Sequence, residues 1–180
     1  VYGIDNLNNY YDINLKKSRL SLLKKFNNFK FFRLDIGNKE KILLNFKKNK
    51  YQYVLHFAAQ AGVRLSFNEP EKYFKSNVEG FFNIIESSRK INVKHFLFAS
   101  TSSVYGNSKV FPVKENSNTE NHESFYASTK KTNELIAQNY SSVFNIKSTC
   151  LRIFTVYGPF GRPDMALFKF TKNILNSEEI

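Results

Sequence analysis

The chain has 180 residues, 42% of them apolar, and a net charge of +12 from 27 Lys+Arg against 15 Asp+Glu. That length and apolar content suit one globular core and exclude intrinsic disorder. No apolar run approaches the roughly 20 residues of a membrane span, and the lysines, spread among asparagines, form no RNP, helix-turn-helix or zinc-finger pattern, so neither a membrane nor nucleic acid is expected as a partner.

In chain order, Val1-Tyr2-Gly3-Ile4-Asp5 is a short apolar run ending in an acid, followed by a turn at Asn6-Leu7-Asn8-Asn9. Leu15 to Phe26 has helical periodicity. Phe29 to Ile36 reads as a strand that again closes on an acid, Asp35. Ile42, Leu43 and Phe46 mark a short helix, and Tyr51 to Ala59 a buried strand leading into Gln60-Ala61-Gly62-Val63-Arg64. Pro70 opens a long helix to about Lys90, as expected of proline in a first turn. His95 to Ala99 is the next strand and 106–124 a polar loop. A helix beginning near Phe125 is followed by strand Ser148 to Phe154, a Gly/Pro loop through Gly161-Arg162-Pro163, and a last helix from about Asp164. Strands alternating with helices imply βαβ units and an α/β fold with a doubly wound parallel sheet. Ligands of such sheets bind beyond the carboxyl ends of the strands. Asp5, Asp35, Ala58-Ala59, Ser100 to Ser103 and Phe154-Thr155 all fall there.

The single cysteine, Cys150, cannot form an internal disulfide, fits a reducing cytoplasm, and is expected to be buried as a small hydrophobe. His56, His95 and His122 have no metal-ligand spacing with one another or with Cys150, so no metal is expected. The excess positive charge reads as solvated surface with some attraction for anionic nucleotides.

Chemistry is concentrated in Tyr126-Ala127-Ser128-Thr129-Lys130. On a helix these two residues share a face, and an ammonium beside a phenol favours the phenolate, making a usable base. By itself Y-x-x-x-K is weak in a lysine-rich chain. It gains weight from Ser100-Thr101-Ser102-Ser103-Val104-Tyr105-Gly106, where an apolar strand runs out into hydroxyls. A dinucleotide fold should also begin with a strand and a glycine-rich turn, and none is present. The chain instead opens where a second strand would stand, with Asp5 in the place of the ribose-binding acid that favours NAD over NADP. Residues 1–180 are therefore expected to be one partial NAD-binding domain without its first βα unit or most of a substrate domain, inactive alone and weak toward the pyrophosphate.

These residues resemble the extended short-chain dehydrogenase/reductase family, and within it the UDP-glucuronate 4-epimerases. The likeness rests on Gly3-Ile4-Asp5-Asn6-Leu7-Asn8, His56-Phe57-Ala58-Ala59-Gln60-Ala61-Gly62-Val63-Arg64, Ser102-Ser103-Val104-Tyr105-Gly106, Tyr126-x-x-x-Lys130, Phe154 to Pro159, and Gly161-Arg162-Pro163-Asp164-Met165-Ala166-Leu167. The resemblance implies a Rossmann-like fold and NAD as cofactor. Asp5 and Asn6 would meet the adenosine ribose, and Asp35 and Ile36 the adenine. Ala58, Ala59, Gln60 and Phe154 would line the cofactor with Asn77 and Ser100 nearby, and Lys130 would hold the nicotinamide ribose beside Tyr126. Asp5 and Asp35 could also be plain turn residues, and Asn77 a surface residue of its helix.

The implied reaction is 4-epimerisation of a UDP-sugar through a 4-keto intermediate, with Tyr126 as base and Thr101 and Ser103 assisting, Ser102 in reserve. UDP-glucuronate is favoured because Thr155 and Arg162 match carboxylate partners, a planar guanidinium suiting a planar acid. Arg64 and Ser66 are further candidates for substrate contact, or simply loop. Related dehydratases carry an acid where Ser103 stands. The rival readings are an epimerase of UDP-glucose or its N-acetyl relative, and a non-catalytic NAD-binding fragment. A homodimer through the 70–90 and 125–144 helices is also implied.

Overall fold

The computed structural model describes all residues, 1–180. The chain divides into two compact units, residues 1–33 with 155–180, and residues 34–154.

In the first unit, β1 (Tyr2–Asp5) and β2 (Lys30–Arg33) pair in parallel, Tyr2 opposite Lys30 and Asp5 opposite Arg33. The helix between them, α1 (Ile13–Leu23), is N-capped by Asp12, whose carboxylate accepts from the Asn14 N–H at 2.8 Å. After residue 154 the Gly/Pro loop leads to the last helix, α7 (Ala166–Leu175), which starts two residues beyond the expected Asp164.

The second unit holds a three-stranded parallel sheet in the order β3-β4-β5, with β3 Tyr53–His56, β4 His95–Thr101 and β5 Ser148–Ile153. Phe96 and Phe98 of β4 are fully buried and meet Phe81 edge-on, with ring centroids 5.7 and 5.2 Å away. Phe81 lies on α5 (Gly80–Lys90), which also buries Ile84 and Ile85. Removing each such ring from water is worth about 2–3 kcal/mol. Helix α2 (Lys39–Asn49), N-capped by Asn38, adds Ile42 and Phe46 to this core. Helix α6 (Phe125–Phe144) is N-capped by Ser124, whose Oγ accepts from the Ala127 N–H at 3.1 Å, and is ended by Asn145 in the left-handed conformation.

The parallel pairing of all five strands agrees with the expected fold class, with β1 and β2 in one ladder and β3-β4-β5 in the other. Two expectations need correction. Strand β3 is shorter than 51–59 and is not buried. It is an edge strand of its ladder, and Tyr53 and Leu55 are 61% and 64% exposed while His56 points inward. The helix from Pro70 is not uniform. Turn-long α3 (Leu65–Asn68) precedes it, and α4 (Pro70–Tyr73) widens into a π-helical stretch at Phe74–Glu79 before α5. Sequence periodicity does not show such a bulge, and π-turns concentrate at functional sites.

Candidate active site

Strand β4 runs two residues further than its apolar run suggests, so Ser100 and Thr101 still pair with Arg152 and Ile153. Thr101 then caps a 3₁₀ turn, Ser102–Tyr105. Its Oγ1 accepts from the Ser103 N–H and donates to the Ser103 Oγ, both at 3.2 Å. Thr101 is buried and Ser103 half-buried. The two candidate hydroxyls are thus one hydrogen-bonded pair with Ser103 on the outer side.

Tyr126 and Lys130 occupy successive turns of α6 on one face. Tyr126 is half-buried, its ring edge-on to Tyr73 at 6.1 Å. Tyr73 is itself fixed through hydroxyl bonds to the carbonyls of Ala61 (2.8 Å) and Gly62 (2.5 Å). Lys130 is 2% exposed, and its Nζ donates to the Ala99 carbonyl at 2.9 Å, tying the helix to the end of β4. Burial lowers the Lys130 amine to about 8, because a low-dielectric site penalises the charged form. His56 is held still lower, at about 3, first by burial and then by the Lys130 charge, so it is neutral at pH 7.

Asn77 lies in the π-stretch and is 1% exposed, which rules out the surface reading. Its Oδ1 accepts from the Gln60 N–H at 2.7 Å, and its Nδ2 donates to the Gln60 carbonyl and Thr129 Oγ1, both at 3.1 Å. Thr129 in turn donates to the Tyr126 carbonyl at 2.7 Å. Asn77 therefore links the Gln60 backbone to the first turn of α6. Ala58 and Ala59 are half-buried and Gln60 is buried. Arg64 is exposed at the start of α3, and Ser66 spends its hydroxyl on the Val63 carbonyl at 2.6 Å. Ile36 is a core residue. A Cβ on Gly80 would lie 2.6 Å from its Cδ1, and its carbonyl accepts from Asn83 Nδ2 at 2.9 Å. The Asp35 carboxylate accepts from the Gly37 N–H at 2.8 Å, the turn role weighed for it.

Sequence reasoning missed a hub at Glu134, one turn beyond Lys130. Arg152 grips it with Nε and Nη2, each at 2.9 Å, while Ser100 Oγ donates to it at 2.6 Å. Ser100 is thereby committed to the protein. Burial pushes the Glu134 carboxyl up, but Arg152 and Ser100 prevail and hold it below the usual range. Arg152 also lies over the Tyr105 ring at 5.1 Å, and Tyr105 stacks on the exposed Phe154 at 6.5 Å. The Y-x-x-x-K-x-x-x-E spacing was the signal that could have found Glu134. Contrary to expectation Cys150 is exposed, on β5, with Sγ 3.6 Å from Glu134 Oε1. Desolvation and the Glu134 carboxylate push its thiol up to about 12, far from a reactive thiolate.

In the first unit, Asp5 ends β1. Its Oδ1 accepts from the Leu7 N–H at 2.6 Å and lies 3.9 Å from Lys16 Nζ, while the side chain stays 48% exposed. Asn6 Oδ1 accepts from the Asn8 N–H at 3.0 Å. Thr155 is exposed. Arg162 donates through Nε and Nη2 to the two oxygens of Asp164, at 3.0 and 2.5 Å. No helix is long and apolar enough to cross a membrane.

The whole chain, residues 1–180, matches the NAD dependent epimerase/dehydratase family. It is 46% identical over 180 residues to Protein CapI of Staphylococcus aureus, covering all of this chain and 54% of that protein. It is 44% identical over 181 residues to UDP-glucuronate 4-epimerase 4 of Arabidopsis thaliana, covering 41% of it. The crystal structure of UDP-glucuronic acid 4-epimerase from Bacillus cereus, in complex with UDP-glucuronic acid and NAD, superposes with a TM-score of 0.91 at 33% identity, over 99% of this chain and 55% of that one. The chain thus spans about half the length of the curated relatives it matches. The parallel strands joined by helices agree with that match, and the chain belongs to the NAD dependent epimerase/dehydratase family, with its Rossmann-like α/β fold.

Proposed function

We propose that the protein containing this chain interconverts the C4 epimers of a UDP-sugar, and that its substrate is UDP-glucuronate, giving UDP-galacturonate. The observation that carries the reading is Tyr126 one helical turn from Lys130, whose Nζ meets the Ala99 carbonyl near the end of the strand that leads into Thr101 and Ser103. The donor set suits NAD. The exposed Asp5 carboxylate at a parallel strand's carboxyl end is the group that accepts from ribose hydroxyls, and Asp35 with Ala58 and Ala59 lies at or just beyond the next strand ends. Asp5, Asn6, Asp35, Ala58, Ala59, Gln60 and Phe154 would hold the dinucleotide, with Asn77 fixing the Gln60 backbone and Ser100 nearby.

NAD, when held by these residues, would supply a reversible hydride acceptor. Tyr126 takes the proton from the C4 hydroxyl and returns it to the opposite epimer. Lys130, still largely protonated at pH 7 with its amine at about 8, favours the phenolate through its charge. Ser103, oriented by Thr101, donates to the C4 oxygen as charge develops on it. A 4-keto uronate is a β-keto acid that readily loses CO₂. Arg162 and Thr155 would hold its carboxylate out of line with the ketone, with Arg64 a further substrate contact. The enzyme would act as a homodimer in the cytoplasm.

The test is Tyr126→Phe in the full-length protein. Interconversion should fall by at least about 10³-fold, the scale of losing a general base together with its proton relay, while NAD and UDP-glucuronate binding persist by calorimetry. Turnover within a few-fold of wild type would refute the assigned base.

A further inference from the structure

Arg162 is not an isolated cation on a Gly/Pro loop. Asp164 takes its Nε–Nη2 edge with both carboxylate oxygens, the fork geometry that fixes a guanidinium in plane as well as in position. The Tyr10 hydroxyl donates to Asp164 Oδ2 at 3.1 Å from across 154 residues of sequence, and the Tyr10 ring lies 5.8 Å from the guanidinium carbon. Both Arg162 and Asp164 side chains are 31% exposed, so the pair borders solvent but is largely shielded from it. Burial pushes the Asp164 carboxyl up, yet Arg162 outweighs it and holds the group below its usual range, so Asp164 is ionised at neutral pH. The loop carrying them is pinned a second time, where Arg19 Nε and Nη2 donate to the Phe160 carbonyl at 3.0 and 2.5 Å. None of this is needed merely to keep a surface arginine soluble.

We propose that Asp164, braced by the Tyr10 hydroxyl, is a positioning residue that aims the Arg162 guanidinium at the carboxylate of the uronate. The inference rests on the reading of Arg162 as the carboxylate clamp. In this role Asp164 and Tyr10 act through Arg162, to which both are joined. They restrict the rotation of a long, flexible side chain, so that less freedom is lost when the uronate binds. A second role for Asp164 predicts the opposite sign. Were it only a counter-ion competing with the substrate, removing its charge would tighten uronate binding.

The experiment measures, by calorimetry on the full-length NAD-loaded protein, the affinity for UDP-glucuronate relative to UDP-glucose in Asp164→Asn, Asp164→Ala, Tyr10→Phe and Arg162→Ala. Arg162→Ala should erase most of the preference. The Asp164 variants should lower it by about tenfold, the scale of losing a charge-assisted hydrogen-bonded pair, with UDP-glucose affinity unchanged. Tyr10→Phe should lower it about threefold, and because it removes only a hydroxyl it remains informative if the Asp164 variants do not fold. A rise in UDP-glucuronate affinity, an equal loss for both sugars, or an unchanged ratio in Asp164→Asn and Tyr10→Phe would overturn the positioning role while the Arg162 clamp stands. An unchanged ratio in Arg162→Ala would remove the clamp itself, and the positioning role with it.

Discussion

Lys130 places an ammonium where burial penalises it, holding the amine at about 8 against 10.5 in the unfolded chain. Between those values the unfolded state binds a proton that the folded state does not, so stability rises with pH across that window. Below pH 8 the penalty is present in full, and the drop from 10.5 to about 8 corresponds to about 3 kcal/mol. Lys130→Met should therefore fold at pH 7 with a denaturation midpoint no lower than wild type. Wild type should then gain about 3 kcal/mol on the variant as pH climbs from 8 to 10.5. Groups that do not feel the Lys130 charge titrate alike in both proteins and cancel in that difference. A wild-type advantage that is constant with pH would show that the amine is not buried as described. The sequence made this residue visible through its spacing from Tyr126. It could not show that the amine reaches the Ala99 carbonyl, because that contact joins positions 31 residues apart.

Among the elements, motif glycines separate cleanly by what surrounds them. Gly106 closes the Ser-Ser-Val-Tyr-Gly run at φ +54°, and a Cβ there would stand 2.0 Å from the Asn121 carbonyl oxygen. Backbone cannot yield as a side-chain tip can. We expect Gly106→Ala to cost at least about 2–3 kcal/mol and to raise amide exchange across 107–123 ahead of the rest of the chain. Gly158 also has a positive φ, +137°, but nothing lies within 4 Å of the added atom, so its alanine variant should cost only about 1–2 kcal/mol. Equal urea midpoints for the two variants would contradict the close approach at Gly106. Both glycines could be read from their motifs, but the clash could not. The same limit hid the π-stretch, whose extra residue per turn leaves no periodic trace while burying Asn77. It also hid the outward turn of Cys150, which sits in an apolar run yet faces solvent.

For the whole molecule, the question left by the strand-and-helix pattern is what covers the outer faces of α5 and α6. On α6, Ile136, Tyr140, Val143 and Phe144 follow i, i+4, i+7, i+8 spacing. Tyr140 meets Phe82 of α5 at 6.4 Å and Phe144 at 5.0 Å. Phe82, Val143 and Phe144 remain 39%, 61% and 45% exposed. A cluster of apolar side chains running across two adjacent helices is the kind of surface that marks an interface. The dimer proposed above would bury it against a second copy, where two helices from each subunit can supply the roughly 800 Å² per partner that a stable contact needs. Val143 has no core role, so Val143→Glu should leave the monomer folded while introducing a carboxylate that must be desolvated at the contact. Sedimentation of the full-length protein at micromolar concentration should show a dimer for wild type and a shift toward monomer for the variant, with unchanged far-ultraviolet dichroism. A wild-type monomer would remove the dimer. A variant that stays dimeric with undiminished affinity would place the contact on another face.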